Sequence, residues 1–265
     1  MNINDIDTTQ IQAPSSEIWE AISRCQQELM EKYRGIEGMS VGPMQFQTKE
    51  AQTWIKNFLW RTHEELCEAG EAIEQAKALL HATLGDANAD LTLIRLKLAH
   101  VFEEISDAIH FVCEASLLCE NTRLHHGLIK SSREELEKTK QKLLHEEPSA
   151  AAGFNGLFLI PKLMEEPQIQ ISSNCKTLAS CGLVFISLLL YQASYKLGLV
   201  GNVLKNKQWK QSEVISDDLL FKVRLTDAVK AILVPLMLIG MTDQDIFILY
   251  RQKNLVNKWR QDTNY

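Results

Sequence analysis

Between Pro43 and Pro148 the chain has no proline, and glycine occurs there only at positions 70, 85 and 127. So few breakers exclude a chain built from hairpins and tight turns, and they favour long uninterrupted helices. Cysteine is sparse and unpatterned, at 25, 67, 113, 119, 175 and 181, with no Cys-x-x-Cys. Neither a zinc ribbon nor a small disulfide scaffold fits that spacing, so free thiols in a reducing compartment are expected. Basic residues are outnumbered, 28 Lys and Arg against 34 Asp and Glu for a net charge of -6. That balance excludes generic nucleic-acid binding, which needs clustered cations on a phosphate backbone. The longest apolar run, Cys181 to Tyr191, is too short to span a bilayer. A second, Ala228 to Met241, is interrupted by Lys230 and Pro235. Both runs are expected as buried core helices. The N-terminus is polar and acidic, so no signal peptide is expected, and the expectation is a soluble cytoplasmic protein without a membrane partner.

What is present is a 265-residue chain, 45% hydrophobic and 23% charged, large enough to bury a core. Apolar residues recur at helical spacing through Ile55, Leu59, Leu66, Ala69 and Ile73. They recur again through Ile94, Leu98, Val101, Ile105, Ile109 and Val112. No strand alternation is evident. The predicted class is all-α: one domain over 1–265, with a core at about 15–118 and 175–265 and an inserted segment at about 119–174. Within that insertion, 131–147 reads as a solvated Glu/Lys-rich helix. Residues 148–174 hold three of the six prolines with Ala, Ser, Gly and Asn. A long loop, or a lid over a site, is the expectation there.

One phrase occurs twice: Glu64-Glu65-Leu66-Cys67-Glu68-Ala69 and Glu103-Glu104-Ile105-Ser106-Asp107-Ala108. A helix advances by about 100° per residue, so with Leu66 at zero Glu65 lies at about -100° and Glu68 at about -160°. Glu104 and Asp107 have the same offsets from Ile105. Both pairs flank an apolar stripe, while Glu64 and Glu103 point further round. Either phrase alone reads as a solvated acidic face. Two in matched phase would aim Glu65, Glu68, Glu104 and Asp107 at one point. Converging carboxylates repel unless a cation separates them, and oxygen donors select a hard ion such as Mg²⁺. Asp107-x-x-His110 also has the form used by di-iron bundles, which need it on two helices, and Glu68-x-x-Glu71 supplies no second histidine. His110 therefore reads as a core residue or a support for a ligand. A di-iron protein and an inert helical interaction module remain the alternatives of a different class.

Two basic stretches follow: Gly201-Asn-Val-Leu-Lys-Asn-Lys-x-Trp-Lys210, and Tyr250-x-x-Lys-Asn-x-x-Asn-x-x-Arg-Gln-Asp262. Lys253, Asn257 and Arg260 share one helical face, with Asn254 beside them. The acidic phrases resemble the metal motifs of the all-α NTP pyrophosphatase superfamily. With both basic stretches in order, the chain looks like the dimeric dUTPases and the related phage dCTPase/dUTPase, over about 20–115 and about 195 to the end. The resemblance implies hydrolysis of a deoxynucleoside triphosphate, dUTP above all, to the monophosphate and pyrophosphate. Dual dCTP/dUTP or broader dNTP specificity is the alternative within that class. It further implies two or more Mg²⁺ ions on Glu65, Glu68, Glu104 and Asp107, with Glu65 also activating water. Lys205, Lys210, Lys253, Asn254, Asn257 and Arg260 would grip phosphates and sugar. Gln26 or Gln27 would read the base, walled by Trp54, Asn57 and Trp60, and the protein would be a homodimer. The tail Thr263-Asn264-Tyr265 departs from the phage ending Arg-Gly-Tyr.

Overall fold

Each apolar-periodic segment forms a helix in a computed structural model, which describes the chain except residues 1–2, 13, 15–16, 39–40, 87–88, 121–126, 147, 166–171, 208, 210 and 264–265. After short 3-10 turns at Ile3–Asp5 and Thr8–Gln10 come α1 (Ile18–Glu37), α2 (Lys49–Ala82) and α3 (Thr92–Leu118). The middle of the chain holds α4 (Leu128–Glu146), α5 (Pro148–Leu157) and α6 (Leu159–Glu165). Last come α7 (Ser173–Gly201), α8 (Asp218–Leu238) and α9 (Asp243–Asp262), and no strand occurs among the described residues. The all-α expectation holds.

Helices α2 and α3 make the most extensive pairing in the fold. Every apolar position in their two predicted stripes is buried. The Thr48 hydroxyl starts α2 by accepting the Ala51 N–H at 3.2 Å. Helices α1, α8 and α9 also pack on α3, so α3 is enclosed on several sides while α2 keeps an outer face. A capping box of Thr242 and Asp245 begins α9. Just before it, Gly240 at φ 93° closes α8. The axes of α8 and α9 turn through 108° across this break, which brings α9 over α1 and α3.

The loop expected over 148–174 is not what the structure contains. Residues 148–157 and 159–165 are α5 and α6, and 166–171 lie outside the described residues. Pro148 occupies the first helical position, where its missing N–H costs nothing, and Pro161 lies in the first turn of α6. Gly156 permits close packing rather than flexibility. A Cβ placed on it would lie 2.6 Å from Gly182 N, and one on Gly182 would lie 2.6 Å from Gly156 C, so α5 and α7 touch backbone to backbone. The helix expected over 131–147 is also tied down. Arg133 Nη2 donates to Met241 O at 2.7 Å and its Nε donates to Asp243 Oδ1 at 2.7 Å.

The run Cys181–Tyr191, expected in the core, is only half there. Leu183, Ile186 and Leu190 are buried, whereas Leu188 and Tyr191 are 60% and 74% exposed. An unbroken apolar run on a helix covers every side of it. By length and composition α7 could cross a membrane, but its buried face packs on α2, α5 and α8. The second run behaves as expected, with Ala228, Val229, Ile232, Leu233 and Leu236 buried in α8.

Candidate active site

Helix α2 supplies Glu65, and α3 supplies Glu104 and Asp107. One carboxylate oxygen from each lies within 4.8 Å of the others. Glu104 is buried and Asp107 is half-buried in the bundle. Burial raises the Glu65 pKa to about 8, helped by a hydrogen bond with Glu104 and by the charges of Asp107, Glu104 and Glu68. Burial also raises Asp107, to about 6, against the opposing pull of Lys253. Protons thus partly neutralise a cluster that is electrostatically short of positive charge. Three converging oxygen donors in that state fit a hard divalent cation, which could replace those protons. No histidine joins the three carboxylates among the described residues.

Glu68 is exposed and does not join the three. Its place almost opposite the buried stripe turns it outward on α2. Asp107, at the matching place on α3, is covered because α9 packs on that flank. The covering residue is Lys253. Its Nζ lies 2.8 Å from Asp107 Oδ2 and 2.6 Å from Glu103 Oε1, with the lysine side chain only 8% exposed. Glu103, expected to point further round, is thereby drawn to the edge of the cluster. His100 Nδ1 lies 2.9 Å from Glu104 Oε1 on the other side.

Asp107 also lines an adjoining cavity of about 90 Å³, together with Gln26 of α1, Arg61 of α2, His110 and Glu114 of α3, and Asn257 of α9. Gln26 is buried while Gln27 is exposed, so the structure separates two residues that the sequence left together. Gln26 Nε2 donates to Glu114 Oε1 at 2.7 Å, and its Oε1 accepts the Tyr250 hydroxyl at 2.8 Å. The amide is therefore locked in one orientation. Tyr250 in turn stacks on His110, with ring centroids 4.3 Å apart. His110 Nδ1 lies 2.8 Å from Ser106 O, and a carbonyl can only accept, so Nδ1 carries the hydrogen. Its Nε2 is a buried lone pair that no described group meets. Burial pushes the His110 pKa down to about 4, which keeps the ring neutral near pH 7.

The remaining expected residues are spread out. Asn254 is buried as a stitch between helices, with Nδ2 donating to Cys25 O at 3.2 Å and Oδ1 accepting from Arg251 at 2.6 Å. Arg260 is half-buried further along α9. Lys205 is exposed and its Nζ donates to Asn202 O at 2.6 Å, at the end of α7. Lys210 and Tyr265 lie outside the described residues. Asn57 and Trp60 sit on the outer face of α2. Asn57 borders a surface hollow with Lys207 and Trp209, and Trp60 Nε1 donates to Glu64 at 2.7 Å. Trp54 stacks on Phe58 within the bundle. Sequence reasoning missed Tyr250, Glu114 and Arg61. The i, i+4 spacing of His110 and Glu114 was a legible signal for one of them.

A family model described as dUTPase matches residues 93–265, about two thirds of the chain. The matched part carries Glu104, Asp107, His110 and Lys253, whereas Glu65 on α2 precedes it. No curated protein and no solved structure matches the chain.

Proposed function

The chain belongs to the dUTPase family, and from that membership we propose that it hydrolyses dUTP to dUMP and pyrophosphate with Mg²⁺. Membership supports nucleotide pyrophosphatase activity in general. The observation that carries the finer reading is the convergence of Glu65, Glu104 and Asp107 on one point, with Asp107 also lining a cavity shared with Gln26 and His110.

Glu65, Glu104 and Asp107 would hold the metal, with Glu68 reaching in from α2 if a second ion binds. Bound Mg²⁺ would neutralise charge developing on the phosphates. Glu65 in its ionised form would orient the attacking water and take its proton. The water oxygen forms a bond to one of the two phosphorus atoms that flank the α–β bridging oxygen as that phosphorus–oxygen bond breaks. The departing phosphate group keeps the bridging oxygen and the electron pair, and the products are dUMP and pyrophosphate. Arg61 and Asn257 border the same cavity and would orient the nucleotide, with Lys253, Arg260 and the 205–210 stretch as further phosphate ligands. His110 Nε2, an acceptor, suits the N3–H of uracil, whereas cytosine presents a lone pair at its own N3. That argues for dUTP over dCTP, because a buried acceptor facing a lone pair goes unsatisfied.

Six free cysteines fit a reducing intracellular setting. A homodimer is part of this reading, and the outward stripe of Leu188, Tyr191 and Tyr195 on α7 is an apolar face suited to it. Tyr191→Glu should then yield a monomer by sedimentation.

The primary test is pyrophosphate release from dUTP, dCTP, dTTP, dATP, dGTP and UTP, each with and without Mg²⁺. Fast Mg²⁺-dependent release from dUTP, well above dCTP, is expected. Comparable dCTP and dUTP rates would instead establish dual specificity, and no release from any of the six would overturn the reading.

A further inference from the structure

We propose that Lys253 is a resident cation of the acidic site, held by Glu103 and Asp107 until a divalent ion displaces it toward the substrate phosphates. This rests on the reading of Glu65, Glu104 and Asp107 as a divalent-cation site. Asp107 belongs to two groupings at once. It shares the carboxylate cluster with Glu65 and Glu104, and its Oδ2 lies 2.8 Å from Lys253 Nζ. Glu103 belongs to only one of them: its Oε1 holds Nζ at 2.6 Å, and it stands outside the three-carboxylate group. A residue that binds the lysine without sharing the cluster is a holder for that lysine.

Coulomb's law sets the direction of the exchange. A divalent ion on Asp107 removes most of the attraction that keeps the ammonium there, and it adds a like charge a few ångströms away. Lys253 is shielded from water, so screening by solvent does little to soften that repulsion. The four-carbon stem can swing about Glu103, and the negative charge that arrives next is the triphosphate. The ammonium thus does two jobs in sequence. It neutralises the acidic cluster while the site waits, then serves the nucleotide once the metal is in place. Lys253 is in this sense a positioning residue for metal and substrate order.

The test follows the lysine side chain and not turnover. Full-length protein with lysines labelled at ¹³Cε is titrated with MgCl₂ without nucleotide, while calorimetry follows the same titration. Lys253→Arg, which lacks the signal, assigns the resonance. The expected result is one lysine resonance that moves with Mg²⁺ and saturates at the concentration where the heat does. Glu103→Gln should shift that resonance toward its metal-bound position before any metal is added. Binding heat with an unmoved Lys253 resonance would overturn the exchange and leave a fixed support for Asp107. Absence of heat altogether would overturn the metal reading beneath it.

Discussion

The Tyr250 hydroxyl donates to Gln26 Oε1 at 2.8 Å, joining α9 to α1 across most of the chain's length. The amide proposed to read the base is thereby oriented from the same helix that carries Lys253. Tyr250→Phe keeps the ring on His110 but leaves that buried oxygen without its hydroxyl donor, a loss of about 1–3 kcal/mol. A fall of about tenfold in kcat/KM for dUTP is expected, with KM carrying most of it. Steady-state kinetics on dUTP and dCTP check this, and unchanged values for both would remove Gln26 from base recognition.

Glu65→Gln should abolish activity while leaving the fold more stable in metal-free buffer. General-base removal costs about 10²–10⁴ in rate. The substitution also deletes one charge from a cluster in which Glu65 and Asp107 resist ionisation. Circular dichroism and a melting curve at pH 8.5 should show full helicity and a raised Tm. A lowered Tm would make Glu65 a structural residue.

Mg²⁺ should stabilise the protein more at high pH than at low pH. Glu65 and Asp107 have folded pKa values raised to about 8 and about 6. The cost of their charge is therefore fully present above those values and relieved as pH falls through them. Metal replaces those protons, so the gain in Tm on adding MgCl₂ should be larger at pH 8.5 than at pH 6. An equal gain at both would show that the ion binds elsewhere.

His110 makes the opposite contribution, in a lower window. Unfolded, its imidazole takes up a proton near 6.5; folded, only near 4, because burial opposes the charge. Between those values the unfolded chain holds more protons, so this contribution to stability falls as pH drops and levels off below about 4. The full difference is about 3 kcal/mol. His110→Asn should flatten that part of the stability curve, measured by urea unfolding from pH 7 to pH 4. A variant that tracks the wild-type slope throughout would contradict this.

The helices and the acidic pair on α3 were legible because both depend on periodicity alone. Burial of Ile105 carries Glu104 inward with it. Glu68 shows the limit of that reasoning. It has the same phase as Asp107, yet it is exposed, whereas α9 packs on α3 over Asp107. The choice between Gln26 and Gln27, and the separation of buried Asn254 from cavity-lining Asn257, depend on how α1 and α9 meet. Lys253 was legible as a charge in the right helix, but its partners come from a helix about 150 residues earlier in the chain. The two short helices α5 and α6 were hidden because their prolines and glycines are the residues of a loop. Here they mark helix starts and a close crossing.

That crossing of Gly156 and Gly182 bears on how far the protein can be trimmed. The segment from α4 to α6 lies between the stretches that carry the acidic and the basic motifs, which invites its removal to obtain a minimal enzyme. Yet Phe154, Leu157, Ile160 and Leu163 belong to the same hydrophobic cluster as Ile105 and Tyr250. Cutting the segment away would uncover Gly182 and the apolar face of α7 beside it, Phe185 included, and would strip Arg133 from the turn that launches α9. The insertion is grafted into the bundle, and a shortened chain would need α7 redesigned before it could stand alone.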